Sequence, residues 1–219
     1  MPRSALREAL LRLEREGRVR RKIGRGGGIF AADGKIERHL NTSQSVPEML
    51  RQQGFTTTTR LVAAHVSTAS PGASRALRLV ASPGEEPRVF TIVRIRHADG
   101  VPWSHETAVV PAQRFPGLLR QPLDGSLYQL FDRVYGLRPE SADETIDVVA
   151  ATPEHALSLG VPAGAPLLLV RRTAYAVGGV PVEFAHDLFR ADRTTIHARR
   201  LGFVTPSKST RGEPPRSTP

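Results

Sequence analysis

The sequence predicts an α+β protein, in which a basic helix and a glycine-tipped β-hairpin precede an antiparallel sheet flanked by helices. Three observations carry this prediction. Residues 2–16 repeat apolar side chains at helical spacing, with Ala5, Leu6, Ala9, Leu10 and Leu13 on one stripe. Two stretches, Thr91 to Pro111 and Leu167 to Phe189, each place runs of β-branched, aromatic and aliphatic residues on either side of a glycine turn, the pattern of a hairpin. From residue 45 to 190 the elements read helix, strand, helix, hairpin, and then helix, strand, helix, hairpin again.

Taken in order, the first helix ends at Gly17, Arg18 to Ile23 alternates as a short basic strand, Gly24-Arg25-Gly26-Gly27-Gly28 turns the chain, and Ile29-Phe30-Ala31 returns. A connector is expected from Asp33 onward. Pro47 to Gln53 is a short helix stopped by Gly54, Leu61 to Thr68 a strand, and Ala73 to Val80 a helical stripe. Ser126 opens an amphipathic helix with Leu127, Leu130, Phe131 and Val134 inside. Glu140 to Ala151 is a long strand. Thr152-Pro153 supplies an N-cap and a first-turn proline for a helix closed by Gly160. After Phe203 the chain is rich in Pro, Ser, Thr and basic residues, the composition of a disordered tail.

Composition bounds the function. The 219 residues carry a net charge of +10, are 39% hydrophobic and contain no cysteine. Disulfides and thiolate metal sites are thereby excluded, and the seven histidines lack ligand-like spacing. No cofactor is expected, and no nucleophile motif or phosphate loop points to catalysis. No apolar run approaches the roughly 20 residues of a membrane span, and the arginine-rich start lacks the apolar core of a signal peptide, so a cytoplasmic location is expected. Residues 1–40 hold 11 Lys/Arg against 5 acids, whereas 41–203 hold 17 against 15. A charge excess gathered at the N-terminus points to a nucleic-acid partner, with a solvated basic helix as the alternative.

The first hairpin has a testable register. A three-residue loop, Ala98-Asp99-Gly100, puts Val93, Ile95, Val101, Trp103 and Val109 on a core face and Arg94, Arg96, Ser104 and Glu106 on the other. The second face is either a seat for a small anionic, hydroxylated molecule or a solvated sheet face with an ordinary ion pair. Residues 97–102, HADGVP, and 176–181, AVGGVP, repeat at an offset of 79. The same three-residue loop in the second hairpin puts Arg171, Tyr175 and Glu183 on one face and Val170, Val180, Val182 and Phe184 on the other. Arg171 and Glu183 either serve a ligand or pair with each other. Ser126 lies at a helix start, where free N–H groups favour anions, or is only the cap. Tyr128 beside it is a contact or a packing residue, and His105 is read as structural.

The run LREALLRLEREGRVRRKIGRGGGIFA resembles the end of the DNA-binding domain of GntR-type transcription regulators, a winged helix-turn-helix with an arginine-rich recognition helix and a GRG-type wing. The resemblance implies that Arg3, Ser4 and Arg7 face bases and phosphates of a double-stranded operator and that Arg25 and Gly26 form the wing tip. A complete domain of this kind has two helices before the recognition helix, which points to a truncation within the domain or a mis-assigned start. The later motifs, Arg94-x-Arg96, ADGVPWSHE with Glu106, SLYQLF from Ser126, LGVPAGAPLLLVRRTAY and GVPVEF, resemble the UTRA effector-binding domain of HutC-type members, whose antiparallel sheet is related to chorismate lyase.

The implied organisation is a partial winged helix-turn-helix over 1–32, a linker over 33–44, a chorismate-lyase-like effector domain over 45–203 and a tail over 204–219. The implied function is a homodimeric, ligand-responsive regulator, expected as a repressor, whose effector is a small anionic metabolite such as a sugar phosphate or carboxylate. Arg94 and Arg96 take the anionic end, assisted by Ser126 and Tyr128. Glu106 and Glu183 accept from hydroxyl or amino groups. A lyase-type enzyme and a ligand-binding protein that has lost DNA recognition are the alternatives.

Overall fold

In the computed structural model the described residues are 3–15, 19–22, 28–31, 35–40, 45–80 and 86–198. The N-terminal part contains helix α1 (Arg3–Arg15) and the antiparallel pair β1 (Val19–Lys22) and β2 (Gly28–Ala31), with Val19 opposite Ala31. This is the expected helix and hairpin; Arg25, Gly26 and the tail lie outside the described residues. Within the stretch expected as a connector, Ile36–His39 forms a strand, β3, with Ile36 fully buried.

The remaining elements are α2 (Val46–Gln52), β4 (Thr57–Thr68), α3 (Pro71–Ala76), β5 (Arg88–Ala98), β6 (Val101–Pro111), α4 (Leu127–Tyr135), β7 (Ser141–Ala150), α5 (Pro153–Leu159), β8 (Pro166–Ala176), β9 (Val180–Arg190) and β10 (Thr194–His197). Six strands form one antiparallel sheet in the order β4-β5-β6-β9-β8-β7. That order is its own mirror image about the β6–β9 seam. Each half contributes helix, strand, helix and hairpin, so the sheet realises the repeated order of the sequence. β3 runs parallel to β10 in a separate pair.

Helix starts follow local chemistry. Ser126 and Thr152 cap α4 and α5 by accepting from Gln129 N–H and His155 N–H, and Ser45 with Glu48 makes a reciprocal capping box on α2. Gly136 and Gly160 end α4 and α5 in the left-handed conformation. Leu127, Leu130 and Phe131 of α4 are buried as expected, but Val134 is exposed because the helix packs through one narrow stripe. β4 starts at Thr57, ahead of the expected Leu61, because the β-branched Thr57, Thr58 and Thr59 suit a pleated strand.

The helices cover both faces of the sheet. On one face α4 packs on Phe90, Ile92, Ala108, Val110, Ala174 and Val182, while Met49 and Leu50 of α2 pack on Ala98, Trp103, Val170 and Phe189. On the reverse, Ala156 and Leu159 of α5 pack on Leu167 and Leu188. His105 also lies on this reverse face, with its ring 5.3 Å from that of His155 on α5, and burial lowers its pKa.

The registers depart from expectation in an instructive way. The first hairpin turns through two residues, Asp99 and Gly100, both at positive φ, with Ala98 opposite Val101. A bulge then leaves Trp103 unpaired, so that Arg96 faces Ser104 and Arg94 faces Glu106. The second hairpin does have the expected three-residue connection, with Ala176 opposite Val180, but a bulge at Val182 shifts the register so that Ala174 faces Glu183. The expected separation of a polar from a core face is therefore corrected. Trp103, Val170 and Val182 pack on the same face as the arginines, Val101 is 40% exposed, and the polar groups sit between two apolar clusters.

Candidate ligand-binding site

Alternation along the central strands sends Arg94, Arg96, Ser104 and Glu106 from the first hairpin, and Arg172, Glu183 and Asp187 from the second, toward α2 and α4. Between these helices and the sheet lies a cavity of about 650 Å³. Four arginines, Arg38, Arg94, Arg96 and Arg172, line it, as do Glu106, Glu140, Glu144, Glu183 and Asp187. The N-terminal residues of both helices, including Ser45, Ser126 and Tyr128, close its rim.

The first hairpin supplies a buried ionic knot. Arg96 donates from Nε and Nη2 to the two oxygens of Glu106 at 2.8 and 2.9 Å, and its Nη1 donates to Thr59 Oγ1 at 3.0 Å. Arg94 donates to Glu106 at 3.0 Å and to the carbonyls of Leu123 and Gly125 at 3.3 and 3.0 Å, which ties the approach to α4. Ser104 Oγ adds a bond to Glu106 at 3.0 Å. Burial opposes the charge on Glu106, but Arg96 and Arg94 hold its carboxyl well below the usual range. Burial likewise works against the charge on Arg94, whose pKa is lowered.

The second hairpin supplies a looser network. Arg172 donates from Nε and Nη2 to Glu183 Oε2, both at 3.2 Å, and its Nη1 lies 3.1 Å from Asp187 Oδ2 and 3.5 Å from Glu144 Oε1. Tyr128 donates to Glu183 Oε2 at 2.7 Å. The other oxygens, Glu183 Oε1 and Asp187 Oδ1, receive no donor among the described residues. Although Asp187 touches Arg172, burial together with the nearby Glu106 and Glu183 charges pushes its pKa up to about 7. We attribute this to Arg172 being shared among several carboxylates. Burial, with Glu183 alongside, also raises the Tyr128 phenol well above its ordinary value.

The structure brings Arg94, Arg96, Glu106, Ser126, Tyr128 and Glu183 to one cavity. Arg171 and Tyr175 are corrected. The bulge at Val182 puts them on the reverse face, where Arg171 pairs with Asp147 and Tyr175 donates to Asp143 at 3.0 Å. Ser4 and Arg7 are exposed on α1.

Four ion-paired lining residues escaped the sequence reading. Arg172 and Asp187 share the strand alternation of Ala174 and Ala185, and only the bulge decides which parity faces in. Glu144 stands opposite Arg172 on β7. Arg38 comes from β3 and makes a bidentate pair with Glu144 at 3.1 and 2.8 Å. Among the described residues no cluster of three His, Asp or Glu side chains could hold a metal, and no helix is long and apolar enough to cross a membrane.

Comparison with known proteins places this site in a family. A family model described as the UTRA domain matches residues 52–195. The HTH-type transcriptional repressor NagR of Bacillus subtilis is 30% identical over 194 residues, covering 89% of this chain and 77% of NagR. The HTH-type transcriptional repressor PhnF of Mycolicibacterium smegmatis is 33% identical over 210 residues, covering 93% of this chain and 82% of PhnF. The crystal structure of PhnF from Mycobacterium smegmatis superposes with a TM-score of 0.73 at 30% identity, over 93% of this chain and 87% of that one. Its effector domain alone gives 0.70 over 76% of this chain. The matched domain and these identities establish that the chain belongs to the GntR-type helix-turn-helix regulators that carry a HutC-like UTRA domain.

Proposed function

We propose that this regulator is a ligand-responsive repressor, with residues 45–203 as its effector domain, 1–32 as its winged helix-turn-helix DNA-binding segment and 33–44 joining them. The effector is a small anionic, hydroxylated metabolite such as a sugar phosphate or carboxylate, held in the cavity between α2, α4 and the sheet. One observation carries the reading. Four arginines, Arg38, Arg94, Arg96 and Arg172, converge on this cavity beside five carboxylates, of which Asp187 has its pKa pushed up to about 7. Guanidinium forks suited to anionic oxygens and carboxylate acceptors suited to hydroxyls thus share a space large enough for a sugar-sized molecule. Glu183 Oε1 and Asp187 Oδ1 provide acceptors for hydroxyl or amino groups.

Arg96 and Glu106 are so fully committed to each other that they hold the site's shape, whereas Arg172, Arg94 and the helix starts at Ser126 and Ser45 are nearer to the ligand. DNA contacts are assigned to Arg3, Ser4, Arg7, Arg25 and Gly26, and the protein acts as a homodimer in the cytoplasm. Occupancy of the cavity shifts the relative placement of the two DNA-binding domains and with it their match to operator half-sites. A thermal-shift screen over sugar phosphates, amino-sugar phosphates and dicarboxylates tests the effector assignment. At least one should raise the melting temperature in a saturable way, and a flat response across all three classes would remove it.

A further inference from the structure

The strand that leads out of the N-terminal segment also forms part of the cavity wall. Ala31 ends β2 and Ile36 begins β3, so five Cα steps, about 18 Å at full extension, join the two. β3 is therefore the strand of the sheet region that follows the N-terminal segment most closely in the chain. β3 is held on one side by its parallel register with β10, where Arg38 stands opposite Ile196 and Leu40 N–H donates to His197 O at 3.1 Å. On the other side it is held by Arg38 itself. This side chain is 9% exposed, crosses 106 residues of sequence to pair with both oxygens of Glu144, and places its guanidinium 5.2 Å from the centre of the Phe189 ring.

Glu144 is not a private partner. Its Oε1 lies 2.8 Å from Arg38 Nη2 and 3.5 Å from Arg172 Nη1, and Arg172 in turn holds Glu183 and Asp187 on the cavity floor. An anionic ligand group that engages Arg172 competes with Glu144 for that guanidinium and so changes the hold of Arg172 on the carboxylate that Arg38 shares. A group that engages Arg38 binds to β3 directly. In either case the occupancy of the cavity is read by a residue whose backbone belongs to the interdomain strand. Exposed ion pairs couple weakly, whereas a half-buried carboxylate shared between two arginines has less water to replace a lost partner.

We propose that Arg38 is the relay between effector site and DNA-binding segment, with the shared carboxylate of Glu144 as its switch contact. The proposal rests on the cavity being the effector site. Ligand in the cavity bridges Arg38 to the sheet and so adds to the hold that Glu144, β10, the buried Ile36 and the Gln53 side chain have on β3.

Hydrogen exchange of the full chain, followed by mass spectrometry, tests this with glucose 6-phosphate, glucosamine 6-phosphate and malate as probes. Each variant is measured at its own saturating probe concentration. In the wild type a probe that binds should slow exchange at amides 36–40 by at least about threefold, along with amides of β8. In Arg38→Met and in Glu144→Gln the slowing should persist in β8 and vanish at 36–40, and Arg38→Lys should restore part of it. Slowing at 36–40 that is unchanged in both Arg38→Met and Glu144→Gln overturns the relay while leaving the ligand site standing. So does β8 slowing in the wild type with no response at 36–40. Absence of any response to all three probes, in exchange and in melting temperature, overturns the effector-site reading and the relay with it.

Discussion

Arg94 on β5 and Arg172 on β8 stand at equivalent points of the two hairpins, each two residues before the pair that follows a bulge, yet they face different partners: Glu106 across from Arg94, Ala185 across from Arg172. The difference makes their removal unequal. In Arg94→Met, Glu106 keeps the two bonds from Arg96, so the loss should be about 1.5–3 kcal/mol, the range for hydrogen bonds to a charged group. In Arg172→Met, the buried Glu183 and Asp187 and the half-buried Glu144 lose a shared cation, and a cost of about 3–5 kcal/mol is expected at neutral pH. The stranded carboxylates would then titrate upward, so the Arg172→Met protein should recover stability as pH falls, which urea denaturation at several pH values would reveal.

Arg171 and Tyr175 make the complementary case. Both engage exposed partners on the reverse face, Asp147 and Asp143. Arg171→Ala and Tyr175→Phe should each change stability by no more than about 0.5 kcal/mol. Neither should alter the thermal shift produced by an effector. A lost shift in Arg171→Ala would mean that the ligand binds on the reverse face.

The contrast between Arg171 and Arg172 shows what the sequence could and could not convey. Strand runs, caps and glycine stops are local, so the elements and the repeated helix, strand, helix, hairpin order were legible. The polar face of the first hairpin was also legible, through two departures that offset each other. A three-residue loop was expected, whereas the protein uses a two-residue turn and then inserts Trp103 as a bulge, which restores the same parity. In the second hairpin the loop length is as expected, so the bulge at Val182 is not offset and the parity of β8 reverses. A bulge belongs to a pair of strands and their packing, and the composition of one strand does not announce it. Arg38 was hidden for another reason. A four-residue strand that pairs with residues 194–197 has too little periodicity to stand out from a connector.

Asp187 predicts a pH dependence of its own. Its pKa rises from 3.8 to about 7 on folding. The native state therefore binds more protons than the unfolded chain between these values, and stability falls as pH rises through that window. Asp187→Asn removes this penalty. The variant should melt above the wild type at pH 8, with the gap narrowing as pH drops toward about 4. A gap that widens on acidification would show that Asp187 is ionised and stabilising through Arg172.

The turn at Asp99-Gly100 gives a test of register. Gly100 has φ +75, and Asp99 at φ +52 accepts from Thr56 N–H and Oγ1 at 2.8 and 2.9 Å. Gly100→Ala should cost about 1 kcal/mol through left-handed strain, since a Cβ there meets nothing within 4 Å. Chemical denaturation would measure it. A neutral substitution would argue against the two-residue turn.

Calorimetric titration of the full chain with the anionic metabolite that most raises its melting temperature tests the central claim most directly. Saturable binding in the wild type, weakened at least about tenfold in Arg172→Met and kept in Arg171→Ala, is the predicted result. Binding that survives in Arg172→Met and disappears in Arg171→Ala would contradict the cavity as the effector site.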